Sequence, residues 1–169
     1  FDGKKGQRMV IWTPDCRVML IGMGEKDSLG HRLARNTGAR AMASLSKKKG
    51  LSVCVRFTSG WTGERMLDFA EGMMLRDYEF LEHQEIDKEH ISDQWSVQFQ
   101  ASPRHQEALG EGLSRAHSIA GGVHVARDLG NEPANVLYPM EYARRAEEWA
   151  AGKDNVAAEV YDWDQLQER

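Results

Sequence analysis

Two glycines at the end of an apolar run are the first residues that could do chemistry. Gly22 and Gly24 follow Arg17–Ile21 and precede a predicted helix, which is the setting of a phosphate-binding loop. A dinucleotide-binding loop would need a third glycine at position 27, where this chain has Asp27. A carboxylate at a helix N-terminus would also repel a pyrophosphate. The spacing therefore favours an ordinary strand-to-helix turn.

The six histidines raise the question of a metal site. Two groups lie close together in sequence, one in an acidic stretch and one on a helix face: His83, Glu85, Asp87 and His90; His117, His124 and Asp128. Neither group has three or four His or Cys at a zinc spacing. Surface histidines, or core histidines with satisfied hydrogen bonds, are the favoured interpretation.

Other patterns that carry chemistry are absent or have a simpler explanation. The sequence holds no Gly-x-Ser-x-Gly, no His-Glu-x-x-His and no cysteine beside a base. The glutamates Glu147 and Glu148 have the spacing of a solvated helix face, and the run Lys47–Lys49 suits a helix C-terminus. The residues alone therefore predict no catalytic, cofactor-binding or metal-binding residue.

Composition excludes several classes of protein. The 169 residues include 22 Lys and Arg against 26 Asp and Glu, a formal net charge of −4, so nucleic acid is not expected as a partner. We find no apolar run of the ~20 residues that a membrane-spanning helix needs. The two cysteines, Cys16 and Cys54, form no CxxC, which favours a reduced cytoplasmic chain. The chain opens without Met and closes inside a starting helix, so we expect a piece of something longer.

The apolar patterning predicts strands and helices in alternation. We expect strands at Arg8–Trp12, Arg17–Ile21, Leu51–Phe57, Gln94–Gln100 and Ala157–Tyr161. We expect helices at about Leu29–Lys48, Glu64–Leu75, Pro103–Leu129 and Pro139–Gly152, with a last one beginning near Asp162 or Asp164. Such alternation predicts an α/β sandwich, with a largely parallel sheet covered by helices on both faces.

Local details sharpen these predictions. The continuous apolar run Arg17–Ile21 predicts a strand buried on both faces, and the alternation of Gln94–Gln100 predicts an antiparallel or edge strand. Asp27 or Ser28 can cap the first helix, and Thr62 the second. The apolar stripes of the four longer helices are expected to be buried: Leu33, Thr37, Ala41, Leu45; Met66, Leu67, Ala70, Met73, Met74; Leu109, Leu113, Ala116, Ala120, Val123; Tyr142, Ala146, Trp149, Ala150. The small pair Gly121–Gly122 would allow close packing against a neighbour.

One stretch is far more specific than the rest. The segment Ala126–Ala143, with Ala-Arg-Asp-Leu, then Asn-Glu-Pro-Ala-Asn and a helix opened by Pro139, closely resembles the junction between the two domains of leucyl (cytosol) aminopeptidases. Three other segments are similar to that family in kind and order: Val18–Asp27, Ala70–Phe80 and Val160–Leu166. Tyr138 and Gly130 depart from the family pattern, and the former loses a side-chain N-cap.

The resemblance implies an architecture. It predicts a three-layer α/β domain of macro-like fold with a mixed, mostly parallel sheet over residues 1–130, lacking about forty N-terminal residues with an opening strand. Residues 131–169 would be a linker helix and the start of the junction to a catalytic domain. The family forms hexamers of two stacked trimers.

The resemblance also implies where the chemistry lies. Family members remove N-terminal residues, preferring Leu and other apolar ones, with two divalent metal ions (Zn or Mn) held by a C-terminal domain. We carry over no catalytic, cofactor or metal residue to this chain, and we expect it to be inactive alone. Its expected partners are that catalytic domain, further subunits and, through the catalytic domain, a peptide.

Three functions compete at this point. The chain is the non-catalytic N-terminal domain of such an aminopeptidase, or a free-standing macro-like module that binds a nucleotide or ADP-ribose. The third is an assembly domain without a ligand, which is compatible with the first.

Overall fold

The computed structural model describes residues 1–45, 52–83 and 96–168. It confirms the α/β class, with strands β1 to β4 and helices α1 to α5. The strands are β1 (Arg8–Trp12), β2 (Arg17–Ile21), β3 (Ser52–Arg56) and β4 (Ser96–Gln100). The helices are α1 (His31–Leu45), α2 (Gly63–Arg76), α3 (Pro103–Asn131), α4 (Pro139–Ala151) and α5 (Trp163–Gln167).

The first two strands form an antiparallel hairpin. Its register runs from Arg8 opposite Ile21 to Trp12 opposite Arg17. The prediction that β2 is buried on both faces is wrong, because Val18 is exposed and the rest of the strand is half-buried. Met19 and Ile21 pack on the core from one face of β2, whereas the exposure of Val18 leaves the other face partly open in the described chain.

The other two strands run parallel. Ser52 lies opposite Ser96 and Arg56 opposite Gln100, which corrects the antiparallel alternative predicted for β4. The alternation itself is confirmed, because Val53, Val55, Val97 and Phe99 face the core and their neighbours are exposed. Leu51 and Trp95, which we also assigned to these strands, lie outside the described residues.

The first helix begins later than its sequence predicts. A separate 3-10 turn spans Lys26–Ser28, and α1 starts at His31. Asp27 and Ser28 are therefore not its caps; the Ser28 hydroxyl donates to the Glu25 carbonyl at 2.7 Å. The buried stripe of α1 is confirmed, with Thr37, Ala41 and Leu45 buried and Leu33 half-buried.

The second helix follows its prediction closely. Thr62 is the N-cap, and its hydroxyl accepts the Arg65 N–H at 3.4 Å. One face packs on α1 so closely that glycine is required at the crossing. A Cβ at Gly38 would lie 1.9 Å from the Phe69 carbonyl oxygen, and one at Gly72 would lie 2.0 Å from that of Arg35.

The buried core lies between these two helices and the strands. Its most buried members come from α1, α2, their flanking turns and α3: Leu29, Ala34, Ala41, Met42, Leu45, Trp61, Met66, Phe69, Met73 and Leu109. Half-buried residues of β2, β3 and β4 pack against the same cluster. Phe57 stacks on Phe99 and meets Trp61 and Phe69 at steeper ring angles. Met66 and Met73, two of the three methionines predicted for the α2 face, therefore fill this core.

The third helix is one continuous helix through its glycine pair. Gly121 and Gly122 have open space where a side chain would stand, so the predicted close packing is wrong for the described part of the chain. Leu109, Ala116 and Ala120 are buried as predicted, whereas Val123 is exposed.

The C-terminal elements begin and end where the sequence indicates. Pro139 is the first residue of α4, Gly152 caps its end, and Asp162 caps α5 through a capping box with Gln165. The buried stripe predicted for α4 is wrong except at Ala150, because Tyr142, Ala146 and Trp149 are exposed. The segment predicted as a strand at Ala157–Tyr161 has no regular structure.

The chain divides into two compact units, Phe1–His124 and Val125–Arg169. The division falls within α3. No helix in the described ranges is long and apolar enough to span a membrane.

Candidate functional site

The Gly22-x-Gly24 turn is used by the N-terminal segment of the chain itself. The Gly22 N–H donates to the Gln7 carbonyl at 2.8 Å, and the Gly24 N–H donates to the Gly3 carbonyl at 3.0 Å. A Cβ at Gly22 would lie 2.2 Å from the Lys4 carbonyl oxygen, and Gly24 has a φ of +77°. These glycines therefore serve a close backbone approach, and their N–H groups are not directed at a phosphate.

Two histidines of α3, His117 and His124, do not form a metal-binding group with other described residues. His124 Nε2 donates to the Met74 carbonyl at 3.2 Å, near the end of α2, and its ring lies 5.3 Å from that of Tyr78. His117 is exposed. Burial and the charge of Glu79 raise the pKa of nearby Asp77, whereas His124 lowers it. His124 thus satisfies a helix end, as the interpretation of core histidines expects.

We tested the family's two-metal requirement against the donors of this chain. Within residues 1–45, 52–83 and 96–168, no three His, Cys, Asp or Glu side chains converge on one point. Glu85, Asp87 and His90 lie outside those ranges. The described His, Cys, Asp and Glu side chains therefore do not fit a pair of metal ions.

An ion-pair cluster that the sequence did not reveal joins α1 to α2. His31 Nδ1 lies 2.6 Å from Asp68 Oδ2, and Arg35 Nη2 lies 3.1 Å from Asp68 Oδ1 and 3.2 Å from Glu71 Oε2. Asp68 is buried, whereas His31 and Arg35 stand at the surface. Because its members lie more than thirty residues apart, no spacing rule could have found the cluster. It gives Asp68 two charged or polar partners and fixes the crossing of the helices.

An open cleft of about 560 Å³ lies beside β4 and α3. It is lined by Cys54, Gln98, Gln100 and Leu113, with further residues of the same elements. The described residues that line it carry no carboxylate, imidazole or cationic side chain.

The connecting segment between α3 and α4 is tightly turned. The Pro133 carbonyl accepts the N–H groups of Val136 and Leu137, both at 2.9 Å. Tyr138 occupies the N-cap of α4 with extended backbone and gives no side-chain cap, as its sequence predicts. The Tyr138 carbonyl accepts the Tyr142 N–H at 2.9 Å. These bonds fix the direction in which α4 leaves the segment.

A five-residue ion network then ties this segment to α4. Arg145 Nη1 lies 3.0 Å from Glu132 Oε1, and Arg145 Nε lies 2.8 Å from Glu141 Oε1. Arg144 also pairs with Glu141, at 2.6 Å, and reaches Glu148. Hydrogen bonds from Arg144 and then Arg145 hold the pKa of Glu141 at about 2. The pairs of Glu141 have the i,i+3 and i,i+4 spacings of one helix face, whereas the Glu132–Arg145 pair joins residues on the two sides of the turn.

The apolar face of α4 is only partly covered in the described chain, where the Lys153 ammonium lies 5.7 Å from the centre of the Trp149 ring. Tyr142 and Trp149 lie two turns apart on one face, and each keeps about half of its surface exposed, 52% and 53%. On α5, Trp163 is 72% exposed. Monomeric proteins rarely expose so many large apolar side chains on neighbouring elements, and such surfaces mark interaction sites.

The chain is similar to proteins of one known family. The model of the N-terminal domain of the cytosol aminopeptidase family matches residues 1–85. A probable cytosol aminopeptidase of Sinorhizobium medicae is 32% identical over 139 residues, which is 80% of this chain and 28% of that protein. One from Geobacter is 29% identical over 99% of this chain and 35% of its own length. The chain thus spans about a third of the curated relatives it matches.

Solved structures agree in fold. A tomato leucine aminopeptidase variant superimposes with a TM-score of 0.79 and 23% identity, over 99% of this chain and 34% of that one. The bottromycin maturation enzyme BotP, in a complex with Mn, gives a TM-score of 0.74 and 25% identity, over 99% and 35%.

Proposed function

Because this chain belongs to the cytosol aminopeptidase family, we propose that it is the non-catalytic N-terminal domain and linker of a metal-dependent aminopeptidase. The observation that carries the proposal is the match itself. Nearly all of this chain aligns with its relatives, yet it accounts for about a third of their length. The matched family model describes the N-terminal domain of that family.

The geometry of the C-terminal unit supports a role in attachment. The turn after α3 and the Glu132–Arg145–Glu141 network hold α4 in a defined direction. Tyr142 and Trp149 form an apolar face of which about half is exposed in the described chain. We infer that this face contacts the catalytic domain of the parent enzyme.

The parent enzyme would remove N-terminal residues from peptides by metal-assisted hydrolysis. When bound in the catalytic domain, two divalent ions (Zn or Mn) would polarise the carbonyl and activate a water. This chain's residues would take no part in that step; they would orient the catalytic domain and shape access to it. We further propose a hexameric assembly and a cytoplasmic location.

A chimera tests the proposal. The aligned segment of the Geobacter relative is replaced by this chain, and hydrolysis of leucine p-nitroanilide is measured with and without a chelator. We expect chelator-sensitive turnover within about tenfold of the intact relative, and none from the relative with the segment deleted. A folded chimera without activity would contradict the proposal.

A matched variant tests the attachment face. Trp149→Ser in the chimera should lower the melting temperature or turnover, because a buried aromatic contact is lost. In the isolated chain the same change should alter the unfolding free energy by less than about 0.5 kcal/mol, because the side chain is half-exposed. Arg104→Ser, on the exposed start of α3, serves as the control and should change neither.

The competing function is binding of a nucleotide or ADP-ribose. The macro-like fold that the resemblance implies is the reason to consider it, but the N–H groups of Gly22 and Gly24 already donate to backbone carbonyls. Titration calorimetry with ADP-ribose decides between the two: heat at micromolar ligand would favour the binding module.

A further inference from the structure

The exposed strand β1 presents an unusual edge. Every residue of Arg8–Trp12 is exposed, including Val10 at 47% and Trp12 at 75%. Within the described residues β1 pairs with β2 alone. Proteins normally protect such an edge with lysine, proline or a bulge, and β1 has four apolar residues in a row, from Met9 to Trp12.

The phase of the hairpin ladder shows which backbone groups of β1 point away from β2. The Thr13 N–H donates to the Cys16 carbonyl, and the Gly22 N–H donates to the Gln7 carbonyl. Because hydrogen-bonded pairs alternate along an antiparallel ladder, Met9 and Ile11 bond to β2. The N–H and C=O groups of Arg8, Val10 and Trp12 therefore point outward.

We propose that β1 pairs antiparallel with β1 of a second copy of this chain, with the twofold axis at Val10. In this register Arg8 lies opposite the partner's Trp12, and Val10 opposite the partner's Val10. The three outward residues of each strand then satisfy one another in about six backbone hydrogen bonds. The two hairpins then join in one antiparallel arrangement of four strands, in the order β2, β1, the partner's β1 and the partner's β2.

Self-complementarity favours a second copy over a foreign strand. Arg8 and Trp12 share one face of β1, and a guanidinium over an indole is a favourable contact. The hairpin already uses that chemistry, since the Arg17 guanidinium lies 5.3 Å from the Trp12 ring. One Arg8 N–H bonds to Ser44 Oγ at 2.5 Å, and a guanidinium has five N–H donors, so Arg8 can bond to Ser44 and contact a partner at the same time. A twofold contact of this kind is closed, so it gives dimers and not fibres.

The contact is small, and its affinity should be modest. A strand of five residues is about 17 Å long, which buries less than the ~1,200 Å² of a stable interface. Sedimentation equilibrium should show the weight-average mass rising from that of the 19.1 kDa chain towards twice that value. We expect the rise between about 10 µM and 1 mM. A mass that stays monomeric to 1 mM would overturn the proposal.

Substitutions locate the contact. Val10→Pro removes an outward N–H without touching the β1–β2 ladder, so it should abolish the dimer and leave far-UV circular dichroism unchanged. The matched control, Val10→Thr, keeps the N–H and should still dimerise. A dimer that persists in folded Val10→Pro would place the contact elsewhere and contradict the proposal.

Two further measurements do not depend on the proline variant. Arg8→Glu should weaken dimerisation at least tenfold, and Arg8→Glu with Trp12→Lys should restore it through a cross-strand ion pair. In the unmodified chain, hydrogen exchange at the Val10 amide should slow as concentration rises, whereas exchange at the Ile11 amide should not. Failure of either result counts against the β1 edge. Neither depends on the aminopeptidase role, so the two proposals fail separately.

Discussion

Single residues set the ends of helices, and the sequence predicts them well where the partners are local. Thr62 caps α2, Pro139 opens α4 and Asp162 caps α5, each within three or four residues of its partner. Asp27 and Ser28 have suitable side chains but lie in a separate 3-10 turn. The sequence therefore identifies residues that can cap a helix. It does not decide whether such a residue lies at the helix end or in a turn before it, because that depends on packing.

The Thr62 cap gives the first prediction. Thr62→Ala leaves the Arg65 N–H without its side-chain acceptor, so we expect a loss of about 1 kcal/mol in unfolding free energy. Urea denaturation measures it. Thr62→Ser keeps the hydroxyl and should stay within about 0.3 kcal/mol of the unmodified chain; equal losses in both variants would argue against the cap.

Glu141 gives a prediction about pH. Its pKa is about 2 in the folded chain, below its ordinary value of 4.5, because Arg144 and Arg145 bond to the charged carboxylate. A lowered carboxyl pKa stabilises the folded chain above the unfolded value of 4.5, and the contribution is lost as the pH falls towards 2. The stability difference between the unmodified chain and Glu141→Gln should therefore shrink over that interval.

NMR titration of the Glu141 carboxyl checks the cause. In a variant with both Arg144→Gln and Arg145→Gln, its pKa should return towards 4.5. The control Glu147→Gln, on the same helix, should leave the pKa of Glu141 unchanged. An unaltered pKa in the double variant would remove the ion network as the explanation.

The helices and strands are held together by close backbone contacts and by the packing of their apolar faces. Periodicity predicts α1, α2 and α3 and most of their buried stripes, because their partners lie in this chain. It fails for the stripe of α4, whose face is exposed. It also leaves the direction of β4 open, because pairing with β3 joins segments more than forty residues apart. The ion pairs of Asp68 also join distant segments, more than thirty residues apart, and are missed for that reason. The Glu132–Arg145 pair is missed because it depends on the turn between α3 and α4.

Two glycines in helices should respond in opposite ways to a methyl group. Gly72→Ala places a Cβ 2.0 Å from the Arg35 carbonyl oxygen, so α1 and α2 must separate, and we expect a loss of at least about 2 kcal/mol. Gly121→Ala enters open space and should gain about 0.5–1 kcal/mol from helix propensity. Thermal and urea unfolding measure both; destabilisation by Gly121→Ala would show that its helix face is covered.

At the scale of the whole molecule, most of the chain forms an ordered α/β unit around one core, and no described cluster has the donors for two metals. The junction motif at Ala126–Ala143 indicated the family, and the family model and the curated relatives confirm that assignment. The superposed structures confirm the fold. The spacing of apolar residues could not predict that the α4 face is exposed, because it identifies an apolar face and not the element that packs against it. That face and the short coverage of the relatives support an accessory domain.

The central claim is that catalysis lies outside these residues, and one assay tests it most directly. The purified chain is incubated with leucine p-nitroanilide and either Mn²⁺ or Zn²⁺, beside the intact Geobacter relative as the positive control. We predict no turnover above the uncatalysed rate from the chain, while the relative is active. Turnover by the purified chain that a chelator abolishes would contradict the claim.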